Sequence, residues 1–169
     1  MQRSLGWLGL ALALLISGPA LAQNEVNWNI GVSVTTYEST DLNSLADGSN
    51  ELGAAIDNTS NLDRFLAIEL VLGTQSARTA GAYVAFYILP SVDGGTTYPT
   101  GADGTGQDPN QAPDCIMPLD AATTARNEVC WDIKIPPTNF KLLIANESTQ
   151  AFAASGNTVK YLTYNEEVQ

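Results

Sequence analysis

The side chains in this chain that could do chemistry are mostly acids. Eighteen aspartates and glutamates face seven lysines and arginines, histidine is absent, and the formal charge is −11. Without imidazole, Ser-His and Cys-His catalysis, His-based zinc sites and a pH switch near neutrality are excluded. What remains is acid–base work by two carboxyl groups, one kept protonated in an apolar pocket, as glycoside hydrolysis needs. Glu69 is the acid best placed for that role. It lies inside the most apolar stretch, from Leu62 to Leu72, where burial would raise its pKa. The competing reading sets Glu69 on a solvated or subunit-facing side of its strand. No second acid has a comparable setting, so no residue is assigned a catalytic role and the chain reads as a non-enzyme.

The run from Asp103 to Asp108 places two carboxylates in a glycine-rich loop. Oxygen ligands of that kind suit calcium, the only cofactor the sequence offers, but the spacing departs from an EF-hand and also fits plain turn chemistry. Tyr98, Tyr161 and Tyr164 lie near turns or the C-terminal end and could stack on a sugar face. Trp28 and Trp131 occupy alternating apolar positions and read as core. Asn58-Thr59-Ser60 and Asn146-Glu147-Ser148 match the N-glycosylation acceptor pattern.

Two cysteines, Cys115 and Cys130, stand fifteen positions apart with no C-x-x-C spacing, which argues for a structural disulfide over a redox pair. The compartment follows from the first residues. Arg3 precedes an apolar run from Leu5 to Ile16, then Gly18, Pro19 and the triplet Ala20-Leu21-Ala22, the layout of a secretory signal peptide cleaved before Gln23. Residues 1–22 therefore read as a leader and 23–169 as one domain, exported to the periplasm, the cell surface or the medium. Once the leader is cleaved, nothing is expected to hold the protein to a membrane, and its acidity removes any electrostatic case for nucleic acid.

The elements that must position these groups are strands. Val26, Trp28, Ile30, Val32 and Val34 alternate with polar residues, as a half-buried strand requires. Leu62 to Leu72 and Ala82 to Leu89 are apolar on both faces and read as a central hairpin, suited to burial under a second sheet on one side and a loop or neighbouring subunit on the other. Val129, Trp131, Ile133 and Ile135 share one face of a strand that Pro136 and Pro137 end. Strands from Phe140 and from Val159 follow. Residues 90–127 hold five of the fourteen glycines and five of the eight prolines and read as one long surface loop. Six to eight strands without amphipathic helices predict an all-β fold, an antiparallel β-sandwich of jelly-roll type.

Several phrases, read together, resemble a known group: Asp57-Asn58-Thr59-Ser60-Asn61-Leu62-Asp63, Thr79-Ala80-Gly81-Ala82-Tyr83-Val84, Leu89-Pro90-Ser91-Val92-Asp93-Gly94-Gly95-Thr96-Thr97-Tyr98, Pro136-Pro137-Thr138-Asn139-Phe140-Lys141, Ser155-Gly156-Asn157-Thr158 and Tyr164-Asn165-Glu166. Over residues 57–167 the chain resembles small phage-encoded proteins of tailed viruses, usually labelled virion-associated or of unknown function. The resemblance implies a β-sandwich used as a self-assembling or decorating piece of a virion. A cellular protein built on the same domain and displayed outside the membrane agrees with both the leader and the cysteine pair. Expected partners are further copies of itself or other surface or virion proteins; the alternative is a carbohydrate-binding module whose partners are glycans.

Overall fold

A computed structural model describes residues 26–99 and 107–168. The leader, with the cleavage site before Gln23, lies outside them. The described chain is all-β: β1 (Val26–Glu38), β2 (Ser49–Leu52), β3 (Phe65–Leu72), β4 (Tyr83–Pro90), β5 (Cys115–Pro118), β6 (Arg126–Lys134), β7 (Phe140–Glu147) and β8 (Thr158–Val168). Two four-stranded antiparallel sheets stack face to face, with orders β1-β8-β3-β6 and β2-β7-β4-β5. Strand 1 pairs with 8, 2 with 7, 3 with 6 and 4 with 5. That nesting is an antiparallel ribbon rolled once around a core, the jelly roll.

Winding of this kind sends each strand to the sheet opposite its predecessor, apart from the β4–β5 pair. The hairpin expected between β3 and β4 is therefore not formed; the two strands face each other across the core. Leu66, Ile68, Leu70 and Leu72 from β3 meet Val84, Phe86 and Ile88 from β4, with Leu142 and Ile144 from β7 beside them. Sequential adjacency of apolar strands marks shared burial here, not pairing.

The second faces of these strands differ. On the outside of the β2-β7-β4-β5 sheet, Ala85, Tyr87, Leu89, Leu143 and Ala145 form a separate buried cluster. The last part of the connection from β4 to β5 lies against it: Asp108 bonds Tyr87, the Gln107 carbonyl accepts from Asn50 Nδ2 at 2.8 Å, and Gln111 Nε2 donates to the Ile88 carbonyl at 3.0 Å. Asp93 ties the start of that connection, accepting from Ser91 Oγ, Thr97 Oγ1 and the Thr96 and Thr97 amides. The span expected to be one loop from 90 to 127 thus contains β5 and is pinned at several points.

The outside of the β1-β8-β3-β6 sheet is open. Trp28 is 58% exposed and Trp131 56%, so both rings expected in the core stand on the surface with Val26, Ile30, Val34 and Val129. Alternation identifies residues that share a face; it does not say which face is covered. On β6 a bulge intervenes, where the register jumps from Ile68–Cys130 to Leu66–Ile133. Val129 and Trp131 look outward, while Ile133 turns into the core, so the four apolar residues do not share one face.

Candidate functional site

The open face carries the feature best shaped to receive another molecule. A groove of about 490 Å³ is lined by Trp28 and Ile30 from β1, Leu162 and Tyr164 from β8, and Trp131 and Asp132 from β6. Tyr164 is its floor: the residue is 1% exposed, and its ring lies 5.1 Å from Trp28 and 6.2 Å from Trp131, tilted by 48° and 57°. Phe65 stacks on the same ring at 5.5 Å. The two tryptophans come from the two edge strands of the sheet and form opposing walls.

The β6 bulge shapes this groove by bringing the consecutive residues Trp131 and Asp132 to it, where a regular strand would send one of them to the core. Asp132 takes φ 59°, a left-handed conformation uncommon for a residue other than glycine. Tyr164 holds it there twice. Its hydroxyl donates to Asp132 Oδ1 at 2.5 Å and accepts from the Asp132 amide at 3.0 Å. Burial first, then the Asp132 carboxylate it donates to, push the phenol up to about 12.

A second hollow, of about 220 Å³, adjoins the first through Trp131 and Leu162 and runs over Ala67 toward Val34, Val129, Glu69 and Lys160. Glu69 lies here on the outer face. It accepts from Asn127 Nδ2 at 2.9 Å and Lys160 Nζ at 3.1 Å, and these partners hold its carboxyl below the usual range. The raised pKa that would make Glu69 a proton donor is thus reversed in sign. Its strand is apolar, but its own side faces solvent and a lysine.

Other expected residues scatter. Tyr98 sits in the β4–β5 connection with Lys141 Nζ 4.9 Å above its ring, and Tyr161 packs edge-on against Tyr37 at the core margin, 6.1 Å between centroids. Tyr164 is buried, so the three tyrosines form no common sugar platform. Of the two carboxylates expected for calcium, Asp103 lies outside the described residues and Asp108 bonds Tyr87. Both glycosylation asparagines are buried. Asn58 Nδ2 donates to the Asp63 and Pro136 carbonyls, and Asn146 Nδ2 to those of Leu45 and Gln150, so neither amide is offered to a transferase in the folded state.

Glu38, Asp41 and Glu51 bring carboxylate oxygens within 4.8 Å of one another at the β1–β2 flank, a grouping that acidic surfaces reach without an ion. Nothing in the spacing of those three residues announces it. Trp28 and Trp131 were visible as a pair, but only the bulge shows that they frame a groove.

On the far flank, Cys115 and Cys130 form the expected disulfide, with Cα atoms 6.5 Å apart, joining edge strand β5 of one sheet to edge strand β6 of the other. It fits a non-cytoplasmic setting. No helix among the described residues is long and apolar enough to cross a membrane.

No protein-family model matches the chain, and no curated protein does. Among solved structures it is similar to a chain in "Structure of infectious bursal disease virus Gt strain", at 13% identity and a TM-score of 0.18, over 97% of this chain and 46% of that one. The chain thus spans about half the length of that neighbour. A score so low carries no argument, and the jelly roll rests on strand order.

Proposed function

We propose that this protein works by contact and breaks no bonds: an exported or particle-borne jelly roll that assembles with its own copies or decorates a surface, on a phage virion or a cell. The observation that carries this reading is the β1 edge. From Val26 to Ile30 the strand keeps a regular register with β8, from Val26–Val168 to Ile30–Tyr164, while its other side has no strand partner among the described residues. Val26, Trp28 and Ile30 are each more than half exposed. A long, regular, apolar edge is a template for strand addition, and a second copy offering the same edge is its simplest complement. The bulges beyond Ile30 confine pairing to that segment.

Sedimentation across a wide concentration range tests this. Association that weakens in the Asn27→Lys/Asn29→Lys double variant is the expected result. A lysine at 29 can still meet Glu167, which now accepts from Asn29, so the fold is retained, whereas two copies pairing through this edge would oppose like charges. A strict monomer at the highest concentration overturns the assembly reading. Mass spectrometry of purified particles and of envelope fractions distinguishes virion from cell surface, and an N-terminus at Gln23 supports export.

The exposed Trp28 and Trp131 favour a second reading, a carbohydrate-binding module. Glycan-array and titration experiments showing no sugar bound, with or without calcium, remove it.

A further inference from the structure

We propose that the groove between Trp28 and Trp131 is a binding site for a methyl-substituted or quaternary ammonium group, held against the two exposed indole rings with its charge toward Asp132. The inference does not depend on assembly, because strand addition at the β1 edge extends the sheet sideways and leaves its outer face open.

Three observations support it. The first is shape: two exposed indoles, each packed against the buried Tyr164 ring and inclined to it by 48° and 57°, line one groove together with Asp132. Aromatic faces carry negative quadrupole potential, and a cation shielded by methyl groups gains from several rings while losing little hydration. The second is the kind of polar group present. Asp132 is exposed at the groove and the others lining it are apolar or aromatic, apart from the Tyr164 hydroxyl, which is spent on Asp132. A sugar needs many donors and acceptors around its hydroxyls; a methylated cation needs one carboxylate and aromatic walls. Glu166 lies opposite Trp28 in the β1–β8 ladder and adds a second negative charge to this end. The third is the chain's own use of the cluster: the Arg64 guanidinium lies 5.6 Å above Phe65, the ring stacked on Tyr164. Arg64 and Lys134 line a separate hollow beside Phe65, and neither lines the groove.

Strain at Asp132 fits the same role. A left-handed aspartate is held by two bonds from Tyr164 in a bulge that presents Trp131 and the carboxylate together. Outliers of this kind persist where the surroundings over-determine them, often at ligand sites.

The test uses the full protein, tryptophan fluorescence and calorimetric titration with choline, its neutral isostere 3,3-dimethyl-1-butanol, and phosphocholine. Saturable binding of choline is expected, with the isostere weaker by about tenfold, the scale of one charge contact near a protein surface. Phosphocholine is expected to bind less well than choline, since its phosphate meets an acidic surface. Asp132→Asn should bring choline and the isostere to equal affinity, and Trp28→Leu should abolish choline binding while the melting temperature stays near wild type. Equal binding of choline and the isostere by the wild type, or binding of neither, overturns the proposal. Phosphocholine binding as tightly as choline overturns the assignment of a bare cation and points to a lipid headgroup.

Discussion

Tyr164 and Asp132 hold each other through two hydrogen bonds, one from the phenol to the carboxylate and one from the aspartate amide back to the phenol oxygen, across the groove on the open face of the sheet. The tyrosine is buried and central in its sheet, and the aspartate is exposed on an edge strand. The bond pair therefore fixes the edge to the centre.

Replacing Tyr164 with Phe keeps the ring contacts and removes both bonds. A hydrogen bond to a charged group contributes about 1.5–3 kcal/mol, so urea denaturation of Tyr164→Phe should show a loss near 2 kcal/mol. A change below a few tenths would mean that solvent already satisfies both groups.

Substitutions at Asp132 should divide by conformation. Asn tolerates the left-handed region and can still accept from Tyr164, so Asp132→Asn should remain close to wild type. A β-branched Asp132→Val at φ 59° should cost about 2 kcal/mol or more. Equal stability of the two variants, by thermal unfolding, would show that the bulge relaxes.

Gly31 faces the buried carboxylate of Asp63, which has no room to retreat: Thr163 Oγ1 donates to it at 2.5 Å and Asn165 Nδ2 at 2.9 Å. A methyl at position 31 would enter that carboxylate. Gly31→Ala should destabilise the fold by about 2 kcal/mol, the scale of overpacking, and nuclear magnetic resonance shifts at Thr163 and Asn165 should report the displacement.

Reducing the Cys115–Cys130 bond releases a cross-link spanning fifteen positions. On the chain-entropy account this costs about 3 kcal/mol, to be read as the difference between denaturation curves with and without a reductant.

Asp93 makes an acid-limb prediction. The side-chain and backbone bonds from Thr97, with Ser91 and Thr96, hold its carboxyl well below the ordinary value of 3.8. A folded pKa below the unfolded one gives stability that is present above the unfolded value and is lost as pH falls toward the folded one. Stability between pH 4 and 2 should therefore fall less steeply in Asp93→Asn than in the wild type, as acid titration followed by circular dichroism would show. Parallel curves would assign the acid response to other carboxylates.

The long strands were legible because their side-chain patterns are long. β1, β3, β4, β6, β7 and β8 each carry at least eight residues of strand. β2 and β5 have four residues each, Ser49-Asn50-Glu51-Leu52 and Cys115-Ile116-Met117-Pro118, too short for a period to stand out from the turn residues around them. The disulfide was readable from count and compartment, whereas the site was not. Its floor, Tyr164, looked like a chain-end tyrosine and is in fact central. Its acid, Asp132, matters only because a bulge brings it to the face of Trp131, and bulges have no reliable mark in a single sequence. Glu69 was misplaced because an apolar neighbourhood along the chain differs from one in space.

Apart from the chain's own connections, the one covalent cross-link between the sheets lies along one flank, on β5 and β6, while the opposite flank has hydrogen bonds, among them those of the Tyr37 hydroxyl with the Leu142 backbone. The molecule is bound like a book along one spine. With that spine cross-linked, parting of the two leaves should be easiest at β1 and β2, so amide exchange should run fastest on the side where the proposed assembly edge lies. A copy that docks there would close the covers.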